Sequence, residues 1–336
     1  MRHGSAIAAL TTAALAASAV PALAQQPAAT TPAPTTTAPA PPVEPAPAPE
    51  PKSAKLTIRA DEDAFLVRSR VVVHGTMQPY VAGQKVVVRF YRGKKKLKAV
   101  EVTVKKDGKV GRFKLGYAAR KTGALTIRAS HRATAKQKTA VAKAVSVEIL
   151  PRQVGPGSKG TAVRILQRQL AKRGYVVGQR GVFDARTARA VVAFRKLTGM
   201  ARNANANAAV FDKLARGGGY FKVKFPKHGR HVEADISKQV LALIGSGGKV
   251  ERIYPTSSGA PATPTILGSF RVYRKDPGTN AKGMVHSSYF IRGYAIHGYK
   301  DVPVYNASHG CLRVPIPDAM AIFNWVKLGT RVDTYR

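Results

Sequence analysis

The 336 residues contain one thiol, Cys311, and two of the eight histidines, His297 and His309, lie within fourteen residues upstream of it. A thiol with an ordinary pKa is a weak nucleophile at neutral pH, and a neighbouring imidazole that takes its proton turns it into an attacking thiolate. The string runs Ala295-Ile296-His297-Gly298-Tyr299, then a loop, then Ser308-His309-Gly310-Cys311-Leu312-Arg313. Gly310 lets the backbone approach a bound carbonyl, so the N–H groups of Gly310 and Cys311 are candidate donors to a developing oxyanion. In extended chain, His309 would share a face with Cys311, so His309 stands beside His297 as a candidate base. Two other uses of the thiol compete. A Cys/His/His metal set lacks a carboxylate at ligand spacing and makes a poor zinc site; the other use is an inert, buried thiol.

The count of one cysteine gains meaning from the N-terminus. Arg2 and His3 precede an apolar, Ala-rich run from Ala6 to Val20, and Pro21-Ala22-Leu23-Ala24 supplies a small-x-small cleavage signal. Residues 1–24 read as a secretory signal peptide whose apolar core is too short for a membrane span. No later segment approaches a transmembrane helix. Export places the chain in an oxidising compartment, where cysteines usually come in pairs. A single thiol there is either buried and inert or kept for chemistry.

The net charge is +39 and is spread along the chain. Residues 52–150 carry 24 Lys/Arg against 6 Asp/Glu, residues 151–219 carry 14 against 2, and residues 220–336 carry 17 against 7. An excess in every segment points to a polyanionic environment rather than to one recognition patch. Export and the lack of zinc-finger spacing or an aromatic RNA-binding signature argue against nucleic acid. Anionic cell-wall polymers are the expected partners.

Positioning elements follow from the patterning. Residues 25–51 are Pro/Ala/Thr-rich and form a semi-rigid tether of polyproline character. Residues 52–150 alternate apolar with basic residues in short runs such as Val71–Val73, Lys85–Phe90 and Val145–Leu150, with Lys106-Asp107-Gly108-Lys109 as a hairpin turn. About seven such strands predict a β-sandwich, immunoglobulin-like in general shape. Residues 155–216 switch to a helical period and predict a three-helix bundle. Thr161 is the expected cap of the first helix, Asp184 caps the second, and a shorter third lies near Val210 to Leu214. Gly217-Gly218-Gly219 reads as a flexible connection. Residues 220–336 are mostly β. Strands are expected at Val232–Ile236, Val240–Ile244, Lys249–Pro255, Gly268–Tyr273, Tyr289–Ile296 and Thr330–Tyr335, with one helix after Pro317 that turns Met320, Phe323 and Val326 inward.

Two stretches carry a family resemblance. Gly157-Ser158-Lys159-Gly160 with Val163, Leu166-Gln167 and Leu170, then Gly181-Val182-Phe183-Asp184 with Thr187, Ala190-Val191 and Phe194, resembles the three-helix peptidoglycan-binding domain of wall enzymes. It departs from that pattern at Arg195, where Gln is usual. His297-Gly298 followed by Ser308-His309-Gly310-Cys311-Leu312-Arg313 resembles the signature of the L,D-transpeptidase (YkuD-type) catalytic domain. The approach Tyr254-Pro255-Thr256-Ser257-Ser258-Gly259 through Thr263-Pro264-Thr265 and Gly268-Ser269-Phe270 is similar to the same family.

The resemblance implies a multidomain cysteine acyltransferase. Cys311 would attack a tetrapeptide stem, release D-alanine and pass the acyl group to a second stem as a 3→3 cross-link. His297 would be the base, His309 and Gly310 would belong to the oxyanion loop, Ser308 would support it, and Arg313 would hold a stem carboxylate. Met284, His286, Tyr299 and Tyr305 are further candidates to line the substrate path. Only ten residues separate His297 from Ser308, fewer than in many members of the family, so the loop is expected to be tight. No cofactor and no metal are implied, and the expected partners are peptidoglycan stem peptides and glycan. Water as acceptor would make an L,D-carboxypeptidase, and a wall protein as acceptor an anchoring enzyme. A non-catalytic wall-binding protein is the rival from another class.

Overall fold

The computed structural model describes residues 48–336; the signal peptide expected at 1–24 and nearly all of the tether expected at 25–51 lie outside the described residues. Ten strands precede the first helix: β1 (Lys55–Ala60), β2 (Ala64–Leu66), β3 (Arg70–Gln78), β4 (Lys85–Arg92), β5 (Lys95–Thr103), β6 (Lys105–Asp107), β7 (Val110–Ala118), β8 (Gly123–His131), β9 (Ala140–Val141) and β10 (Val145–Leu150). They form a four-stranded sheet in the order β1-β3-β7-β6 and a six-stranded sheet built on β2-β10-β8-β4-β5, with β9 paired to β8. Val71, Val73 and Met77 of the first sheet and Val86, Val88, Phe90, Leu125 and Ile127 of the second belong to one buried cluster. Their period of two is the alternation that the sequence displays.

Three helices follow: α1 (Thr161–Ala171), α2 (Ala185–Leu197) and α3 (Ala208–Ala215). Asp184 caps α2 by accepting from the Thr187 N–H, and Asn207 caps α3 by accepting from the Val210 N–H. Thr161 does not cap α1. Gly160 holds that position at φ 100°, a backbone conformation suited to glycine, and the Thr161 hydroxyl accepts from Arg164 instead.

The C-terminal strands are β11 (His231–Asp235), β12 (Val240–Ile244), β13 (Val250–Pro255), β14 (Gly268–Arg271), β15 (Arg274–Thr279), β16 (Val285–Ile291), β17 (Tyr294–Tyr299), β18 (Leu312–Pro315) and β19 (Arg331–Tyr335), with α4 (Ile316–Trp325) between the last two. One sheet runs β13-β12-β11-β19-β14 and the other β15-β16-β17-β18. The single strand expected over Tyr289–Ile296 is two strands, because Arg292 turns the chain at φ 50° next to Gly293. On α4 the buried stripe is Ala319, Ile322 and Trp325, while Met320 is exposed and Phe323 half-buried. The helix is apolar on nearly every face, so its period alone did not select the face that packs.

All five residues of β12 are buried, and each of its faces serves a different core. Leu241 and Leu243 pack with Ile296, Leu312, Ile322 and Trp325. Val240, Ala242 and Ile244 pack with Leu166, Leu170, Val191, Phe194 and Phe211 of the three helices. A strand covered on both sides reads as a continuous apolar run, and Val-Leu-Ala-Leu-Ile is one. The helices are therefore fused to the C-terminal β13-β12-β11-β19-β14 sheet by a shared core.

The glycine triplet is not a flexible joint. The Gly218 carbonyl accepts from Arg173 Nε (2.7 Å) and the Gly219 carbonyl from the Tyr175 hydroxyl (2.8 Å). Gly219 has φ 86°, and a Cβ there would run into the Phe194 ring. Glycine is required at this position for close packing.

Candidate active site

Strands β17 and β18 run parallel, with Ile296 opposite Leu312 and His297 opposite Arg313. Ile296 and Leu312 point into the core. Alternation then puts Ala295, His297 and Tyr299 on the other face with Cys311 and Arg313. This face forms a cavity of about 280 Å³ lined by Lys282, Met284, Gly293, His297, Tyr299, Ser308, His309, Cys311 and Arg313. Seven of the ten site residues expected from the sequence line it, and Gly310, His286 and Tyr305 do not. Gly310 shapes the turn that carries Cys311. It has φ 111°, and a Cβ would overlap the Tyr294 ring, so both the backbone conformation and the space demand glycine.

The Cys311 thiol is partly buried and its Sγ accepts from the Ala295 N–H at 3.4 Å. Burial pushes the thiol above its ordinary pKa, against the opposing pull of the Ala295 N–H and the positive charges of Arg313 and Lys282. His297 is 3% exposed. Its Nδ1 lies 2.9 Å from the Gly298 carbonyl, which can only accept, so Nδ1 carries the proton and Nε2 is left with a free lone pair. Burial, with a smaller contribution from Arg313, drives this imidazole down to about 4. At neutral pH the pair therefore rests as neutral thiol and neutral imidazole.

The His297 ring meets Tyr299 edge-on with centroids 5.6 Å apart, and the Arg313 guanidinium lies over the same tyrosine at 4.3 Å. Arg313 Nη1 is 3.9 Å from the Asp301 carboxylate. His309 is exposed on the rim and makes no comparable polar contact inside the cavity.

The turn before Cys311 is held by hydroxyls. Ser308, buried, donates from Oγ to the Cys311 carbonyl (2.6 Å) and accepts from the Gly310 N–H (3.1 Å). The Gly310 N–H is thereby hydrogen-bonded within the turn. Outside the turn, Thr265 Oγ1 donates to the Gly310 carbonyl (2.8 Å) and Thr263 Oγ1 to the Ser308 carbonyl (3.0 Å). Ser257 exchanges backbone hydrogen bonds with Arg313 and donates its hydroxyl to the Tyr305 carbonyl. Thr256, Ser257 and Ser258 are fully buried, and Gln239 satisfies Ser258 from both ends of its amide. A polar Thr-Ser-Ser run reads as a surface loop, yet here it is the bed on which the Cys311 turn rests.

Three residues of the site had weak or no signals in the sequence. Lys282 and Gly293 line the cavity, and Ala295 contributes only its N–H. Two expected candidates stand apart. His286 packs against Phe323 and accepts from the Gly278 N–H, and Tyr305 is 59% exposed outside the cavity.

Residues 229–333 match the L,D-transpeptidase catalytic domain, and residues 159–214 match a putative peptidoglycan-binding domain. The crystal structure of the L,D-transpeptidase (residues 123–326) from Xylanimonas cellulosilytica is 32% identical, over 55% of this chain and 98% of that one, with a TM-score of 0.50. The chain belongs to the L,D-transpeptidase family. The L,D-transpeptidase of Stackebrandtia nassauensis is 19% identical over 55% of this chain and 95% of its own, with a TM-score of 0.36. One from Mycobacterium tuberculosis is 22% identical over 32% and 58%, with a TM-score of 0.30. No curated protein matches the chain. Among the described residues, no helix of this transpeptidase is long and apolar enough to cross a membrane. The two matched domains, one of them a putative peptidoglycan-binding domain, point to an extracytoplasmic setting.

Proposed function

We propose that Cys311 is the nucleophile of a peptidoglycan L,D-transpeptidase, acylated by a tetrapeptide stem with release of D-alanine, and that a second stem's amine resolves the thioester as a 3→3 cross-link. The observation that carries this reading is the one cavity in which the only thiol, a buried imidazole with a free Nε2 and two cations converge.

His297 Nε2 takes the thiol proton as Sγ attacks the stem carbonyl, and the same imidazole then hands it to the departing D-alanine nitrogen. Because both groups rest neutral, His297 acts as a general base during attack rather than as half of a standing ion pair. The Cys311 N–H is the oxyanion donor, with the Ser308-bonded turn fixing its direction. Arg313, held flat on Tyr299, and Lys282 bind stem carboxylates. His309, on the rim, is a contact for the incoming substrate and the weaker candidate for base.

In this reading the chain is exported, the helical unit holds glycan, and the two N-terminal sheets form an immunoglobulin-like sandwich that serves as a basic spacer among anionic wall polymers. Disaccharide-tetrapeptides incubated with purified protein, with products read by mass, test the proposal. D-Alanine release and a cross-linked dimer are expected. No release from the wild type, or equal release from Cys311→Ala, contradicts it. For the base, His297→Gln is expected to abolish acylation and His309→Gln to weaken it; the reverse order exchanges their roles.

A further inference from the structure

A second cavity, of about 430 Å³, lies where the helical unit meets the catalytic sheet. One bank is α2, which presents Ala188, Val192 and Lys196 at a four-residue spacing, one stripe of a helix. The other bank runs from Tyr299 and Lys300 through Val304 and returns at Ile316. Tyr299 lines both this groove and the cavity of Cys311, so the two adjoin at that residue.

We propose that this groove seats the acyl acceptor, a second peptidoglycan stem peptide, with the helical unit forming one of its walls. This rests on the acyl-transfer reading above.

Size is the first reason. The Cys311 cavity, at about 280 Å³, is the smaller of the two, and the groove of about 430 Å³ adjoins it at Tyr299. The acceptor needs adjoining space, and the groove provides it. Its banks give the second reason. One belongs to the segment matched to peptidoglycan binding and the other to the segment matched to catalysis. The third is charge: Lys300 is exposed and makes no ion pair with any described residue, leaving a cation for a stem carboxylate.

The banks are also fixed in place. Lys196 Nζ donates to the Thr256 carbonyl (2.8 Å), Arg189 forks onto the buried Asp318 (2.7 and 3.3 Å), and Arg202 donates to the Val304 carbonyl (2.8 Å). Such a site is pre-formed. In the transfer step the acceptor nitrogen attacks the thioester carbonyl, a C–N bond forms and the C–S bond breaks. The proton lost by the amine passes through His297 to the sulfur, which restores the thiol.

The test separates acylation from transfer. Val192→Trp fills the groove from the α2 side, and Lys300→Glu reverses its free charge without touching the packing. In both full-length variants, thioester formation on Cys311 from a tetrapeptide donor is expected to stay within about twofold of wild type. The ratio of cross-linked dimer to hydrolysed tripeptide is expected to fall by about tenfold or more. If Val192→Trp does not fold, Lys300→Glu reads the same ratio. An unchanged ratio, or acylation falling in step with transfer, overturns the groove as the acceptor site and leaves the nucleophile assignment standing. A wild type that forms no thioester overturns both.

Discussion

The two units ahead of the catalytic strands meet the rest of the molecule differently. The two N-terminal sheets bury their own cluster, and they touch the helices through Leu66 and Leu150 at its margin, the Arg152–Asp212 pair and the exposed Arg168–Glu62 pair. An exposed pair of that kind contributes about 1 kcal/mol at most. The helices instead share a core with β12 and β13 and send Lys196, Arg189 and Arg202 into the catalytic half. Units that look alike as beads on a sequence thus differ in kind: one is an attachment, and the other is part of the enzyme's body. A glycine triplet did not mark the difference, because its carbonyls are spent on holding the joint shut.

The largest effect that distinguishes them is deletion. Removing residues 155–219 uncovers Val240, Ala242, Ile244 and Ile253, and the remaining catalytic half is expected to lose its cooperative thermal transition in calorimetry. A sharp transition retained by residues 220–336 alone would break the comparison.

Phe194→Ala empties the shared core at its centre and is expected to cost about 3–5 kcal/mol in denaturant unfolding. The helical and catalytic signals should still unfold together, whereas two separated transitions would show that the cores are independent.

The buried imidazole gives a pH signature in the catalytic half. Its pKa lies near 4 rather than 6.5, and the neutral form is the active one, so rate is lost only as pH falls through about 4. At pH 5 acylation should be roughly thirtyfold faster than an imidazole of ordinary pKa would allow. An acid limb near 6.5 would instead contradict the buried His297 imidazole as the base.

Lys196 gives the joint a pH dependence of its own. Burial lowers it to about 7 from 10.5, with Arg202 adding a little, so the folded state binds fewer protons than the unfolded state between those values. Stability should therefore rise with pH over that window relative to Lys196→Met, by thermal melting at stepped pH. Parallel curves for the two proteins would count against a buried, titrating lysine. The smallest effect is expected from deleting residues 49–150: acylation of Cys311 should stay within about twofold.

Much of this arrangement was legible in the sequence. The motif His297-Gly298 and Ser308 to Arg313 placed five of its residues, His297, Ser308, His309, Cys311 and Arg313, at one cavity because strand alternation and a glycine turn leave few alternatives. What stayed hidden was burial that periodicity cannot express. Lys196 and Arg195 end a helix, where basic side chains are usually solvated, yet both are buried; Arg195 holds the loop after α2 by donating to the Ala201 and Asn205 carbonyls. Thr256 to Ser258 read as loop because their hydrogen-bond partners lie far along the chain. The turn at Arg292 was masked because a non-glycine residue adopts the left-handed conformation there.

The most direct test is intact-protein mass spectrometry of the full chain after a tetrapeptide donor is added, with wild type, Cys311→Ala and His297→Gln side by side. The account predicts a stem adduct on the wild type that peptide mapping places on Cys311, together with stoichiometric D-alanine, and no adduct on either variant. An adduct that persists in Cys311→Ala, or a wild type that never acquires one, would contradict it.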